Sequence, residues 1–236
     1  YKLKIGDEIN FYNFEYKFIS KKNSTYKPSK KNLDKNEKSL ISDNDDFIVI
    51  NKQSGISSQG GTKSKNNLID IFSNSSLFKD TKPYSVHRLD KETSGVMIIA
   101  KNYSSAKLLT SLFRLRKIHK TYLAICHGIF KERKGEIRGN LVKYEREKKI
   151  IELAITNYNV ISSNNFFSLV ELKPITGRKH QLRKQLASMG NPIVGDSKYN
   201  VIKQKIKSEK KLMLHAYKIK FMINNKKFNF EAEPPG

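Results

Sequence analysis

The chain has 236 residues, 37% of them hydrophobic and 10% aromatic, which excludes a disordered chain and leaves enough apolar material for a buried core. Its 46 Lys and Arg outnumber 22 Asp and Glu, and the net charge of +24 attracts polyanions, with nucleic acid the obvious partner; a drift toward lysine alongside Asn and Ile contributes but does not by itself explain a twofold excess. Cys126 is the single cysteine, so an intrachain disulfide and a cysteine-based metal cluster are excluded, and no apolar run approaches the ~20 residues of a membrane helix.

The chain opens with YKLKIGDEINF, where Gly6-Asp7 suits a hairpin turn. Residues 20–40, with almost no apolar positions, read as a mobile Lys/Asn/Ser-rich linker whose lysines either touch RNA or form a solvated charge run. After a polar turn at Asp43–Asp46, Phe47–Ile50 is a short apolar, β-branched run that predicts a buried strand, and Ser54–Gly61 is a glycine-serine loop. Leu68, Ile69, Ile71 and Phe72 mark a short helix, and Val96–Ala100 a second buried strand. Ala106, Leu109, Leu112, Phe113 and Arg116 follow helical spacing. Strands are expected over Thr121–Cys126 and Phe166–Leu172, the latter ended by Pro174. Thr176 is placed to cap a helix from about Arg178 to Met189, with Leu182, Leu186 and Met189 toward the core and Gly190 as its stop. Leu212–Phe221 alternates as a late strand. With neither GxGxxG nor GxxxxGKS present, no nucleotide cofactor is implied, and the pattern predicts an α+β fold with a mixed, mostly antiparallel central sheet flanked by helices.

The stretch HRLDKETSG, residues 87–95, sets Asp90 beside Arg88 directly ahead of a strand. A carboxylate meets developing positive charge at a sugar carbon, and an arginine handles phosphate or holds the carboxylate ionised. For an isolated pair the ordinary alternative is an exposed ion pair in a turn.

HRLDKETSGVMIIAK, from His87 to Lys101, resembles the signature of the RluA-type pseudouridine synthases, which isomerise uridine in structured RNA. FIVINKQSGISSQGG, HKTYLAICHG from His119 and KPITGRKHQLRKQLASMGNPIVGDSKY from Lys173 match further family segments in the same order, with a weaker match at LMLHAYKI. The resemblance spans about residues 45–220 and implies a pseudouridine synthase fold over 41–236, acting without cofactor or metal. The first 19 residues are similar to the tail of an S4-like RNA-binding module, so a truncated S4-like remnant would precede the linker. With the SQGG glycines, this start leans toward synthases of large-subunit (23S) ribosomal RNA, of the C type, rather than tRNA-directed relatives. A cytoplasmic monomer is expected.

By the same resemblance Asp90 acts at the ribose, either attacking the sugar carbon or removing a neighbouring ribose proton. Arg183 is the cation that holds it anionic, and Tyr122 stacks on the uracil and serves as a base, although a phenol of reference pKa about 10 needs help to do so. Because the target uridine must be everted from folded RNA, Arg88 is a candidate wedge or phosphate clamp. Arg178 and His180 either bind phosphate or hold their loop on the sheet, and His87 is a further RNA-contact candidate. Gly95 is expected at positive φ, shaping with Thr93 and Ser94 the turn that presents Asp90. Gln53 and Gln185 depart from the family's usual proline and histidine, which puts loop rigidity and local packing in doubt.

Three rival readings remain to be weighed. HRLD superficially matches the kinase HRD, but no glycine-rich loop or DFG accompanies it. A metal-dependent nuclease lacks a compact carboxylate cluster. A non-catalytic ribosome-assembly protein would not require Asp90, Tyr122 and Arg183 together.

Overall fold

The computed structural model describes residues 5–8, 27–60, 67–145, 148–200 and 211–235. In chain order these form α1 (Lys30–Glu37), β1 (Leu40–Asp43), β2 (Phe47–Lys52), α2 (Leu68–Phe72), a 3₁₀ turn (Ser76–Phe78), β3 (Tyr84–Ser85), β4 (Ser94–Ala100), α3 (Tyr103–Arg114) and β5 (His119–His127). Then follow β6 (Lys134–Glu145), β7 (Lys148–Ser163), β8 (Phe167–Pro174), α4 (Gln181–Ser188), β9 (Leu214–Ile223) and β10 (Lys226–Glu231). One sheet runs β1-β2-β4-β9-β5-β8-β7-β6, with β10 on β9 and β3 on β4. All its pairings are antiparallel except β4 with β9, as expected for the α+β class.

The alternation of β2 and β4 sorts their side chains onto two covered faces. Phe47, Val49, Val96 and Ile98 pack with Leu109 of α3 and with Phe221, while Ile48, Ile50, Met97 and Ile99 pack with Leu68 and Phe72 of α2. Each such side chain contributes roughly 1.5–3 kcal/mol on burial. α3 begins where the Asn102 side chain accepts the Ser105 N–H at 2.8 Å, and beyond its end Arg116 turns back at φ 59. A third cluster, with Cys126, Leu172, Leu182, Leu186 and Ile193, seats α4 on β5 and β8.

Gly95 is where this architecture is least permissive. It sits at φ +112 in the parallel pairing of Ser94–Gly95 with His215–Ala216, and a Cβ there would stand 2.2 Å from the Ala216 carbonyl oxygen. The expected positive φ is therefore present, and the close approach of β9 adds a second requirement for glycine.

Four expectations need revision. The stretch 20–40 was expected to be a mobile linker, yet its residues 30–37 form α1, started by Ser29, whose side chain accepts the Asn32 N–H; residues 20–26 lie outside the described residues. The helix expected from Arg178 begins at Gln181, because His180 takes a left-handed φ of 54 and Thr176 Oγ1 accepts the Ile155 N–H at 2.9 Å instead of capping. Met189, expected in the core, is 38% exposed. The paired strands β6 and β7 were not anticipated at all. Of the expected S4-like start only residues 5–8 are described, a turn with Gly6 at φ +100; Gly61 of the glycine loop likewise lies outside.

Candidate active site

The turn carrying Asp90 is clamped from beneath. Val86 and Leu89 are buried, so the intervening backbone turns Arg88 outward and leaves Asp90 half-buried. Ser58 Oγ accepts the Leu89 N–H at 3.0 Å and donates to the Leu89 carbonyl at 2.9 Å. Ser54 Oγ donates to the Glu92 carbonyl at 2.6 Å, and the Gly55 N–H donates to the Lys91 carbonyl at 2.8 Å. The glycine-serine loop is thus the floor of the turn. Lys52, 1% exposed, donates from Nζ to the carbonyls of Gln53 at 2.9 Å and Lys91 at 3.1 Å. Burial brings its ammonium down to about 8, against the opposing pull of Glu92 and Asp90. On the same turn, the Thr93 hydroxyl is the one buried side-chain polar atom without a hydrogen-bond partner among the described residues.

Two groups from the α4 end face Asp90. His180 Nε2 lies 3.6 Å from Oδ1 and Arg183 Nη1 lies 3.9 Å from Oδ2. The helix expected from about Arg178 would have included His180; instead His180 precedes it, and its left-handed backbone still brings its ring to Asp90. Arg183 is committed first to another acid. Its Nε and Nη2 donate to Asp196 Oδ2 and Oδ1 at 2.8 and 2.7 Å, a bidentate buried pair, which leaves Nη1 to reach Asp90 and, at 4.0 Å, Glu92. Asp196 Oδ1 also accepts the backbone N–H groups of Lys198 and Tyr199 at 2.8 and 3.0 Å. These bonds outweigh its burial and hold the Asp196 carboxyl below the usual range; the Asp196 bonds likewise raise Arg183 further. Tyr199 completes the cluster, its hydroxyl 2.8 Å from His180 Nδ1 and its ring 5.3 Å from the Arg183 guanidinium carbon. Burial lowers the His180 imidazole, and Arg183, Lys198 and Lys179 reinforce this against Asp90.

Asp90, Tyr122, His180 and Arg183 open onto one cavity of about 600 Å³, whose wall also includes Arg88 and Arg178. That volume lies within the range of small-molecule sites. Tyr122 enters from β5, and its phenol has no hydrogen-bond partner among the described residues. Burial first, and the Asp90 charge second, push that phenol well above its ordinary value, so the environment opposes the expected role as a base and suits a flat protonated ring.

The remaining expected residues separate by environment. Arg88 is exposed at the cavity mouth and makes no ion pair among the described residues, as a phosphate clamp or wedge requires. Arg178 pairs with Glu152 at 3.0 Å and donates to the Leu153 carbonyl at 3.2 Å, holding its loop on β7. His87, expected to touch RNA, has its ring stacked on Phe113 and its Nε2 accepting the Ile98 N–H at 2.9 Å; burial, then Lys120, lower it to about 3. It therefore supports the wall from within. Gln185 in the family's histidine position is fully occupied, accepting from Thr156 and donating to the Ile137 and Ala154 carbonyls.

Sequence reasoning gave no role to Asp196, Tyr199, Glu92 or Lys52. The signal for the first two was present in GDSKY, the end of the arginine segment, but nothing in its spacing shows that Asp196 folds back onto Arg183. Among the described residues no group of His, Cys, Asp and Glu could hold a metal ion, and no helix is long and apolar enough to cross a membrane.

A family model described as RNA pseudouridylate synthase matches residues 46–188. The protein named ribosomal large subunit pseudouridine synthase C of Rickettsia felis is 40% identical over 83% of this chain and 67% of its own length. Its namesake of Buchnera aphidicola subsp. Baizongia pistaciae is 32% identical over 100% of this chain and 78% of its own. This chain spans about two thirds of the Rickettsia relative. The solved structure of human RNA pseudouridylate synthase domain containing 4 superimposes with a TM-score of 0.75 at 26% identity, covering 86% of this chain and 91% of that one.

Proposed function

The chain belongs to the RNA pseudouridylate synthase family, and on that premise we propose that it isomerises specific uridines of large-subunit ribosomal RNA, with Asp90 as the carboxylate that meets the ribose. The observation that carries this reading is the convergence of Asp90, Tyr122 and Arg183 on a single nucleoside-sized cavity from three separate parts of the chain. The relatives named for large-subunit ribosomal RNA and the net charge of +24 support the choice of substrate.

The reaction breaks the bond from ribose to a base nitrogen, turns the uracil, joins ribose to a base carbon and moves one proton from that carbon to solvent or to the freed nitrogen. It is redox-neutral, so neither cofactor nor metal is needed. Capture of the electron-poor sugar carbon and removal of a ribose proton both begin at the same carboxylate. Arg183, locked by Asp196, supplies a fixed positive charge at Asp90 without having to reorganise. The His180 ring stands 3.6 Å from the other oxygen, held there by its 2.8 Å bond to the Tyr199 hydroxyl. Tyr122 gives the uracil a surface to lie against, and Arg88 at the mouth meets the phosphates or fills the space the base vacates. The single buried Cys126 suits a reducing compartment such as the cytoplasm.

Asp90→Asn tests the reading. Pseudouridine formation on 23S RNA is expected to fall at least about 10³-fold while RNA affinity stays within about twofold; unchanged turnover would overturn it. Mapping pseudouridines by chemical labelling and primer extension in cells with and without the protein tests the substrate, and a loss confined to tRNA would remove the ribosomal assignment.

A further inference from the structure

A second, smaller cavity of about 180 Å³ lies between the β6–β7 hairpin and α4. Lys143, Arg178 and Lys179 line both it and the Asp90 cavity, so the two are neighbours along one wall. Its remaining lining includes Lys184, Lys198, Tyr144 and Tyr199. Among the described residues Glu152 is the only acid lining it, and it is taken by Arg178 at 3.0 Å. Among the described residues Lys143 makes only an exposed pair with Glu145 at 3.3 Å. Lys179, Lys184 and Lys198 have no carboxylate partner among the described residues. Like charges gathered in one groove repel one another, and the repulsion is relieved when a polyanion enters. Lys184 is also pre-oriented, since its Nζ donates to the Val142 carbonyl at 3.3 Å and keeps two N–H groups for a ligand. Tyr144, 72% exposed, offers a flat ring at the hairpin edge.

We propose that this groove binds backbone phosphates of the RNA strand next to the everted uridine, with Lys184 and Lys198 as its principal contacts and Tyr144 stacking on a neighbouring base. The inference rests on the reading of the Asp90 cavity as a uridine site. A nucleoside seated there carries a phosphate on each side, and a strand leaving along the shared wall crosses these lysines. An acidic protein segment fits the charge but not this continuity. The field of the groove already reaches the site, since Lys198 and Lys179 both act to lower the His180 imidazole.

The test compares two double variants of equal charge change: Lys184→Gln/Lys198→Gln in the groove, and Lys226→Gln/Lys227→Gln on exposed β10, which lines neither cavity. Binding of a 23S RNA fragment is measured by fluorescence anisotropy over a series of salt concentrations. The groove variant should bind about tenfold more weakly at low salt, lose kcat/KM in proportion, and show a plot of log K against log salt less steep by about 1.4, the loss of two phosphate contacts on a single strand. The β10 variant should keep the slope of the unmodified protein. Lys184→Arg/Lys198→Arg should restore binding, which separates lost charge from damage to the fold. Equal slopes for the groove and β10 variants would overturn the proposal. If Asp90→Asn abolishes product while the groove variant binds normally, the inference fails alone; if Asp90→Asn remains active, the parent reading fails.

Discussion

The β2–β4–β9 half of the sheet and the β6–β7 hairpin are held by different forces. Every residue of β4 is buried, gripped on both faces by α2 and α3. On the hairpin Val142, Ile151 and Leu153 are 39, 60 and 44% exposed, and the strands are kept together by their backbone ladder with anchors such as Gln185 and Lys184. The half that presents Asp90, the carboxylate proposed to react, needs sub-ångström constancy, which packing on both faces supplies. The hairpin instead carries its lysines on a ladder that is tied to the third cluster through Ile137, Tyr158 and Val160.

The largest effect that sharpens this contrast is expected at Gly95→Ala, where the added methyl meets the Ala216 backbone at positive φ; a loss above about 4 kcal/mol, seen as absence of a cooperative thermal transition, is expected. A folded, active variant would break the comparison at its strongest point. Ile98→Ala in β4 should cost about 2–5 kcal/mol in denaturant titrations. Third is acid sensitivity. The unfolded His87 imidazole takes up a proton near its reference value of about 6.5, while the folded one, lowered to about 3, does not, so stability present above that reference is lost as pH falls between the two values. Relative to His87→Gln, the protein should lose up to about 1.4 kcal/mol per pH unit across that window, and parallel profiles would remove His87 as the cause. The smallest effect belongs to the hairpin, where Ile151→Ala should stay within about 0.5 kcal/mol; a cost like that of Ile98→Ala would mean the hairpin face is covered after all.

The same contrast decided what the sequence discloses. FIVI and VMIIA read as buried strands because both faces are covered and every position is apolar. KGEIRGNLVKYE and KKIIELAITNYN go unread because exposed Ile151 and Leu153 stand beside a run of three consecutive buried residues, Ala154 to Thr156, so burial sets up no regular alternation to detect. Tertiary bonding undid the helix start: Thr176 spends its hydroxyl on Ile155 and Gln181 and caps nothing. At the site, resemblance supplied Asp90, Tyr122 and Arg183, and the cavity brings them together. His87 was expected among the RNA contacts, but an amide of β4 claims its ring. Asp196 escaped because a bidentate partner thirteen residues away is invisible until α4 and the following turn are placed.

The position of β9 carries a consequence for biogenesis. This late strand inserts between β4 and β5, so the sheet that backs Asp90 cannot close until residues around Ala216 have left the ribosome. Pairing across more than a hundred residues of intervening chain is slow compared with local hairpin formation. A nascent chain still lacking that strand therefore has its Asp90 turn without a finished wall, and under the proposed function activity is expected only once the strand is in place.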